Sequence, residues 1–208
     1  MSPPYSSLNL VLLGPPGSGK STQAERLASS FHLPHISTRA MLRDEVERRT
    51  AVGAEAEKVI DRGELVSDRL LAGLMLQRLD RDDCARGFIL DGYPRTVEQA
   101  ALLDGILAEL GRSIERVVLI DVPLEEGKQR LIDAATESGA VVPEDVAVAG
   151  SRDYEDVVRE RWRVWRDNAP TLLDFYRQRG LLQEIAGNRP IDEVGEAVRQ
   201  AVGAPVGA

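Results

Sequence analysis

Eight residues near the start of this chain restrict its fold more than any others. Gly14-Pro15-Pro16-Gly17-Ser18-Gly19-Lys20-Ser21 follows an apolar run, Leu8 to Leu13, and precedes apolar residues at 24, 27, 28 and 31. The run has the length of a buried strand, and the i, i+3, i+4, i+7 spacing is one face of an amphipathic helix. A strand, a glycine-rich turn ending Gly-Lys-Ser and a helix together make a phosphate loop. The residue types follow from the chemistry. Glycines let successive backbone N–H groups turn towards phosphate oxygens, and the helix N-terminus adds its dipole. Lys20 supplies a charge to terminal phosphates, and Ser21 a hydroxyl for Mg²⁺. A nucleoside triphosphate site is therefore expected at Gly17, Ser18, Gly19, Lys20, Ser21 and Thr22. Asp91, closing the apolar run Phe88-Ile89-Leu90, stands where phosphate-loop proteins place a carboxylate facing the metal or its waters.

The rest of the chain repeats the alternation. Gly87 to Leu90, Val117 to Val122 and, more weakly, Leu181 to Ile185 read as strands. Leu103, Ile106, Leu107 and Leu110 share one helical face, and Ile191, Val194 and Val198 begin a closing helix. Strands alternating with helices predict a parallel sheet covered on both faces, with the site along one sheet edge. Two stretches break the pattern. Residues 38 to 80 read as successive helices punctuated by Gly53 and Gly63, and residues 134 to 151 show no periodicity, as in a mobile loop or lid.

Composition narrows the function classes. The net charge of −8 argues against coating a nucleic-acid polymer or an anionic membrane, but not against a small anionic ligand in a locally positive pocket. No apolar run approaches the roughly 20 residues that span a bilayer, and residues 1 to 5 lack the pattern of a secretory signal. The single cysteine, Cys84, cannot pair within the chain, so a reducing cytoplasm is the expected location. His32 and His35 are expected at a helix end and at the start of a strand, without chemistry. Trp162 and Trp165 are expected to pack.

Three segments, the phosphate loop among them, carry a resemblance. Gly14 to Gln23, Ile36-Ser37-Thr38 with Met41-Leu42-Arg43, and Leu90-Asp91-Gly92-Tyr93-Pro94-Arg95-Thr96 with Gln99 resemble the adenylate kinase family of nucleoside monophosphate kinases. The resemblance implies a phosphate-loop NTPase-type three-layer α/β sandwich with a five-stranded parallel sheet, a helical acceptor-binding insertion (37–68) and a lid (about 131–153), all in one kinase domain with flexible ends at 1–6 and 203–208. It implies ATP as donor, Mg²⁺ held by Ser21 and Asp91, no structural zinc, and a monomer. By the same likeness Arg43 and Arg95 grip the acceptor phosphate, Thr38, Gly92 and Gln99 line the acceptor site, and Leu65 and Val66 wall its base. Arg130 and Arg161 flank the lid and act on the phosphates, and Arg189 lies by the donor base. Arg159 is expected on a solvated face. The acceptor favoured by a glutamine amide is AMP, and no general base is required.

The chain also departs from that pattern. Where the family usually reads Thr-Gly-Asp, it has Thr38-Arg39-Ala40; Arg39 either changes which base fits or adds a phosphate contact. The family's arginine four residues past the Arg130 position is Ala134, another is Gly150, and residues 133 to 150 hold four acidic and no basic residues. Arg152 is a candidate substitute. A kinase of this fold for a modified nucleotide, and a catalytically weak nucleotide-binding protein, stand as alternatives to an AMP kinase.

Overall fold

The computed structural model describes residues 8–60, 66–137 and 154–203. Leu65, Arg152, the 138–153 part of the lid expected at about 131–153, and both chain ends lie outside them. The described elements run β1 (Leu8–Leu13), α1 (Lys20–Phe31), β2 (His35–Ser37), α2 (Thr38–Glu47), α3 (Ala51–Ile60), α4 (Asp68–Leu79), β3 (Gly87–Asp91), α5 (Val97–Glu109), β4 (Arg116–Asp121), α6 (Leu124–Glu137), α7 (Tyr154–Arg177), β5 (Leu182–Ala186) and α8 (Ile191–Gly203).

The strands form one parallel sheet in the order β2-β3-β1-β4-β5, as expected of a five-stranded α/β sandwich. β1 is central because its six residues are all buried, as a strand covered on both faces must be. Side chains alternate between the faces. Leu10, Leu12, Ile89, Val118 and Ile120 pack with Ala24 and Leu27 of α1 and Val194, Val198 and Val202 of α8. Val11, Leu13, Phe88, Leu90, Val117 and Leu119 pack on the other side with Met75 and Leu79 of α4, Leu103 and Leu107 of α5, and Leu172 and Tyr176 of α7. Truncating a fully buried leucine such as Leu10 to alanine costs about 2–5 kcal/mol. β5 read weakly because it is an edge strand in which Ile185 alone is buried.

Among the described residues the 38–80 stretch holds three helices, but Gly53 does not separate them, and Gly63 lies outside the described residues. It lies inside α3, where a Cβ would sit 2.2 Å from the carbonyl oxygen of Glu45, so its smallness lets α3 pack against the end of α2. His32 ends α1 in the left-handed conformation, the helix-end position expected of it. β2 pairs with β3 so that Ser37 lies beside Asp91, and β1 pairs with β3 so that Leu12 does. The ends of three strands therefore bring the phosphate loop, the start of α2 and Asp91 to one edge of the sheet.

Candidate active site

The loop after β1 turns through Gly17 and Gly19 at φ +79° and +81°, which L side chains rarely adopt. The Ser18 amide donates to the Pro15 carbonyl at 3.1 Å, closing the turn. The Ser18 hydroxyl oxygen is buried without a hydrogen-bond partner, which suits a loop shaped around a ligand. Lys20, Ser21 and Thr22 form the first turn of α1, where backbone N–H groups have no helical acceptor and no acidic side chain competes.

A cavity of about 590 Å³ opens over this loop. Gly17 to Thr22 line it, together with Thr38, Gly92 and Arg95 on the β3 side. Arg130 and Ala134 of α6, Arg161 and Trp165 of α7, and Gly187 and Arg189 after β5 complete the wall. Lys20 donates to the Pro15 carbonyl at 3.3 Å. Loss of solvation pushes its ammonium down from 10.5 to about 8; Asp91 pulls the other way, while Arg95, Arg39 and Arg161 add repulsion. Arg95 lines the cavity with its side chain open to solvent. Desolvation first and Arg39 second bring its guanidinium down to about 10, against the attraction of Asp91.

Asp91 is 4% exposed. Burial alone would raise its carboxyl. The His35 ring 3.4 Å away, the Lys20 charge and the Ser21 hydroxyl outweigh that and hold it below the ordinary value. An ionised carboxylate beside a hydroxyl is the hard-oxygen donor set that Mg²⁺ prefers, so Ser21 and Asp91 fit the ion.

The acceptor residues divide into two groups. Arg95 Nε donates to the Gly92 carbonyl at 2.9 Å and the Thr38 hydroxyl donates to it at 3.3 Å, so Thr38, Gly92 and Arg95 are brought together. Val66 is buried. Arg43, a turn further along α2 than Arg39, is exposed and lies outside the lining of this cavity. Gln99, expected to face the acceptor base, is 0% exposed. Its carbonyl accepts from the Arg95 backbone N–H at 2.8 Å, and its amide donates to Asp68 at 2.8 Å. Gln99 therefore ties the Arg95 loop to the start of α4. Arg130 is held by Glu126 at 2.6 Å and by the Gly187 carbonyl at 2.9 Å, and Arg189 donates to the Ala186 carbonyl at 3.3 Å. Arg159 pairs with Asp156 on the solvated surface, as expected.

Sequence reasoning missed two features. His35, placed at the start of β2 without a role, sits against Asp91 because β2 and β3 are neighbours. Gly127 of α6 presses on the phosphate loop: a Cβ on Gly17 would meet the Gly127 carbonyl oxygen at 2.1 Å. A Cβ on Gly127 would meet Trp162 at 2.5 Å and the Pro16 carbonyl at 2.7 Å. Trp162 thus packs α7 onto α6 behind the loop, and Trp165 both touches the core and lines the cavity. The i, i+3 tryptophan spacing was the signal available.

A phosphate loop at the edge of a parallel sheet, faced by a second set of cations across one cavity, defines a phosphate-loop kinase of nucleotides. The family model described as adenylate kinase matches residues 12–181. Adenylate kinases of Xylella fastidiosa (strain 9a5c) and Xanthomonas campestris pv. campestris (strain 8004) are 43% and 44% identical over 196 residues, covering 94% of this chain and 100% of each relative. That of Archaeoglobus fulgidus is 39% identical, covering 92% of this chain and 96% of its own length. The chain belongs to the adenylate kinase family, and it is a nucleoside monophosphate kinase. A modified-nucleotide kinase and a weak binding protein are not favoured beside relatives named in this way over nearly the whole chain.

Proposed function

We propose that this chain moves the terminal phosphoryl group of ATP to AMP, giving two ADP, with Gly17 to Thr22 and Arg189 holding the donor and Thr38, Arg43, Leu65, Val66, Gly92 and Arg95 the acceptor. The observation that carries the reading is one cavity lined by the phosphate loop with Lys20, by Asp91 and by Arg95. One end offers backbone N–H groups to a triphosphate, and the other a guanidinium fork to a monophosphate.

The acceptor phosphate is already an anionic nucleophile. Catalysis therefore reduces to alignment, charge neutralisation and exclusion of water. Lys20 and Arg95 hold the two substrates' phosphates in line, and Arg130 and Arg161 add charge from the lid-flanking helices. Gln99 acts through Arg95, whose backbone it fixes. When bound at Ser21 and Asp91, Mg²⁺ neutralises charge on the donor phosphates. Residues 37–68 serve as the acceptor insertion and about 131–153 as the lid of one kinase domain. The family resemblance points to a monomer. No described helix is long and apolar enough to cross a membrane, and the unpaired Cys84 supports a cytoplasmic location.

A coupled ADP-formation assay with ATP-Mg²⁺ and AMP, CMP, UMP, GMP or dAMP tests this directly. AMP is expected to give the highest kcat/KM. Preference for another acceptor, or no turnover with any, would overturn the reading.

A further inference from the structure

The cavity holds a cation that the roles above do not use. Arg39 is the second residue of α2, half-buried, and lines the same cavity as Lys20, Arg95, Asp91 and Ala134. Its position follows from the chain path: β2 ends beside Asp91, and α2 starts at once, with Thr38 tied to the Gly92 carbonyl. The next residue is thereby delivered to the cavity that the phosphate loop and Arg95 also line.

Two outcomes for Arg39 are open from sequence: reading the acceptor base, or contacting phosphate. The electrostatic neighbourhood separates them. Arg39 repels the Arg95 guanidinium, and it also repels Lys20. These two cations belong to the acceptor-phosphate and donor-phosphate ends. Thr38, the residue before Arg39, shares the Gly92 carbonyl with Arg95, and Arg39 lines one cavity with Lys20 and Arg95 while Val66 of the base wall does not, which puts Arg39 on the phosphate side. Among the described residues lining the cavity are six cations (Lys20, Arg39, Arg95, Arg130, Arg161 and Arg189) and one carboxylate, Asp91, with Arg130 also paired to Glu126 outside the lining. Mutual repulsion of this kind is relieved by a polyanion spanning the group. On the facing helix, Ala134 contributes only a methyl, so that wall brings no charge of its own at this position.

We propose that Arg39 is a phosphate-binding catalytic residue that contacts the phosphoryl group as it passes between donor and acceptor, the guanidinium coming from α2 rather than from residue 134 of α6. This rests on the ATP and AMP reading above. The planar fork suits a group whose charge spreads over several oxygens in the transition state, and such a contact acts mainly on kcat.

The experiment compares wild type, Arg39→Ala, Arg39→Gln, Ala134→Arg and Arg39→Ala/Ala134→Arg, each checked for an unchanged thermal transition. Kinetics with ATP and AMP are combined with calorimetric binding of AMP alone, of ATP alone, and of a diadenosine pentaphosphate that joins both substrates. Arg39→Ala and Arg39→Gln are expected to lower kcat about 10²-fold, in the range for loss of one preorganised charge donor. They should weaken the pentaphosphate by about tenfold or more and change single-nucleotide affinities little. Adding Ala134→Arg to Arg39→Ala should restore part of kcat, because both positions face one cavity. The ranking of acceptor bases should not move. A kcat within about threefold of wild type would overturn the proposal. So would a loss confined to the KM for AMP with a changed base ranking, which would make Arg39 a base reader. Wild-type protein inactive with AMP would instead overturn the parent reading, leaving the pentaphosphate result to judge Arg39.

Discussion

Replacing Lys20 by methionine should abolish turnover and, without nucleotide, make the protein more stable. The ammonium is half-buried in a cavity rich in other cations, and desolvation brings it down from 10.5 to about 8. At roughly 1.4 kcal/mol per pH unit that fall corresponds to about 3 kcal/mol favouring its neutral form. Water reaching the cavity screens part of this, so relief of about 1–2 kcal/mol on substitution is a reasonable expectation. For a domain of this size that is a rise in Tm of about 2–8 °C. The sign with pH follows from linkage. Below about pH 8 both folded and unfolded wild type carry the charge, and the folded state bears its full cost. Between about 8 and 10.5 the folded protein gives up the proton while the unfolded chain keeps it, so the penalty disappears. Calorimetry of both proteins from pH 7 to 10.5 in phosphate-free buffer should show the gap closing. Saturating ATP should reverse the order at pH 7, because only wild type gains strongly from the ligand. A methionine variant that melts lower at pH 7, or a gap independent of pH, would refute the reasoning. Retention of more than about a tenth of wild-type activity, a difference of only ~1.4 kcal/mol, would refute the phosphate-loop role.

Gln99→Ala should lower kcat as well as raise the KM for AMP, because its carbonyl fixes the Arg95 backbone; about 1–3 kcal/mol in kcat/KM is expected from leaving buried partners unpaired. An effect on the KM for AMP alone would restore a base-reading role. Gly127→Ala, with its new Cβ 2.5 Å from Trp162 and 2.7 Å from the Pro16 carbonyl, should distort the phosphate loop. A stability loss of about 1–3 kcal/mol is expected, with the KM for ATP rising and that for AMP hardly moving. Equal changes in both would show that α6 does not act through the loop. Ala134→Arg should raise kcat with AMP, by less in wild type than in the Arg39→Ala background, and parallel kinetics of the four proteins check this.

The phosphate loop was legible because its parts are contiguous. Leu8 to Leu13, the glycines and the helix spacing lie within 24 residues, and β1 ends where the apolar run does. The order of strands and helices was legible for the same local reason. Gln99 was not. Its side chain also bonds Asp68, 31 residues earlier, and a backbone group four residues before it, ties that exist only through space. Gly53 read as punctuation because a glycine needed for helix-to-helix approach looks the same in sequence as one needed for a turn. His35 gave no sign of Asp91, 56 residues away, because their contact exists only through the pairing of β2 with β3.

The sequence by itself determined which segments form strands and helices, where phosphate is held, and the family to which the pattern points, since each rests on neighbours along the chain. Tertiary structure decided what those residues experience. It brought Gly127 against Gly17, gathered Arg39, Lys20 and Arg95 around one cavity, and drew the Lys20 ammonium down to about 8. Desolvation and charge repulsion depend on distances through space and on excluded water, and both are set only when helices from distant parts of the chain close over one edge of the sheet.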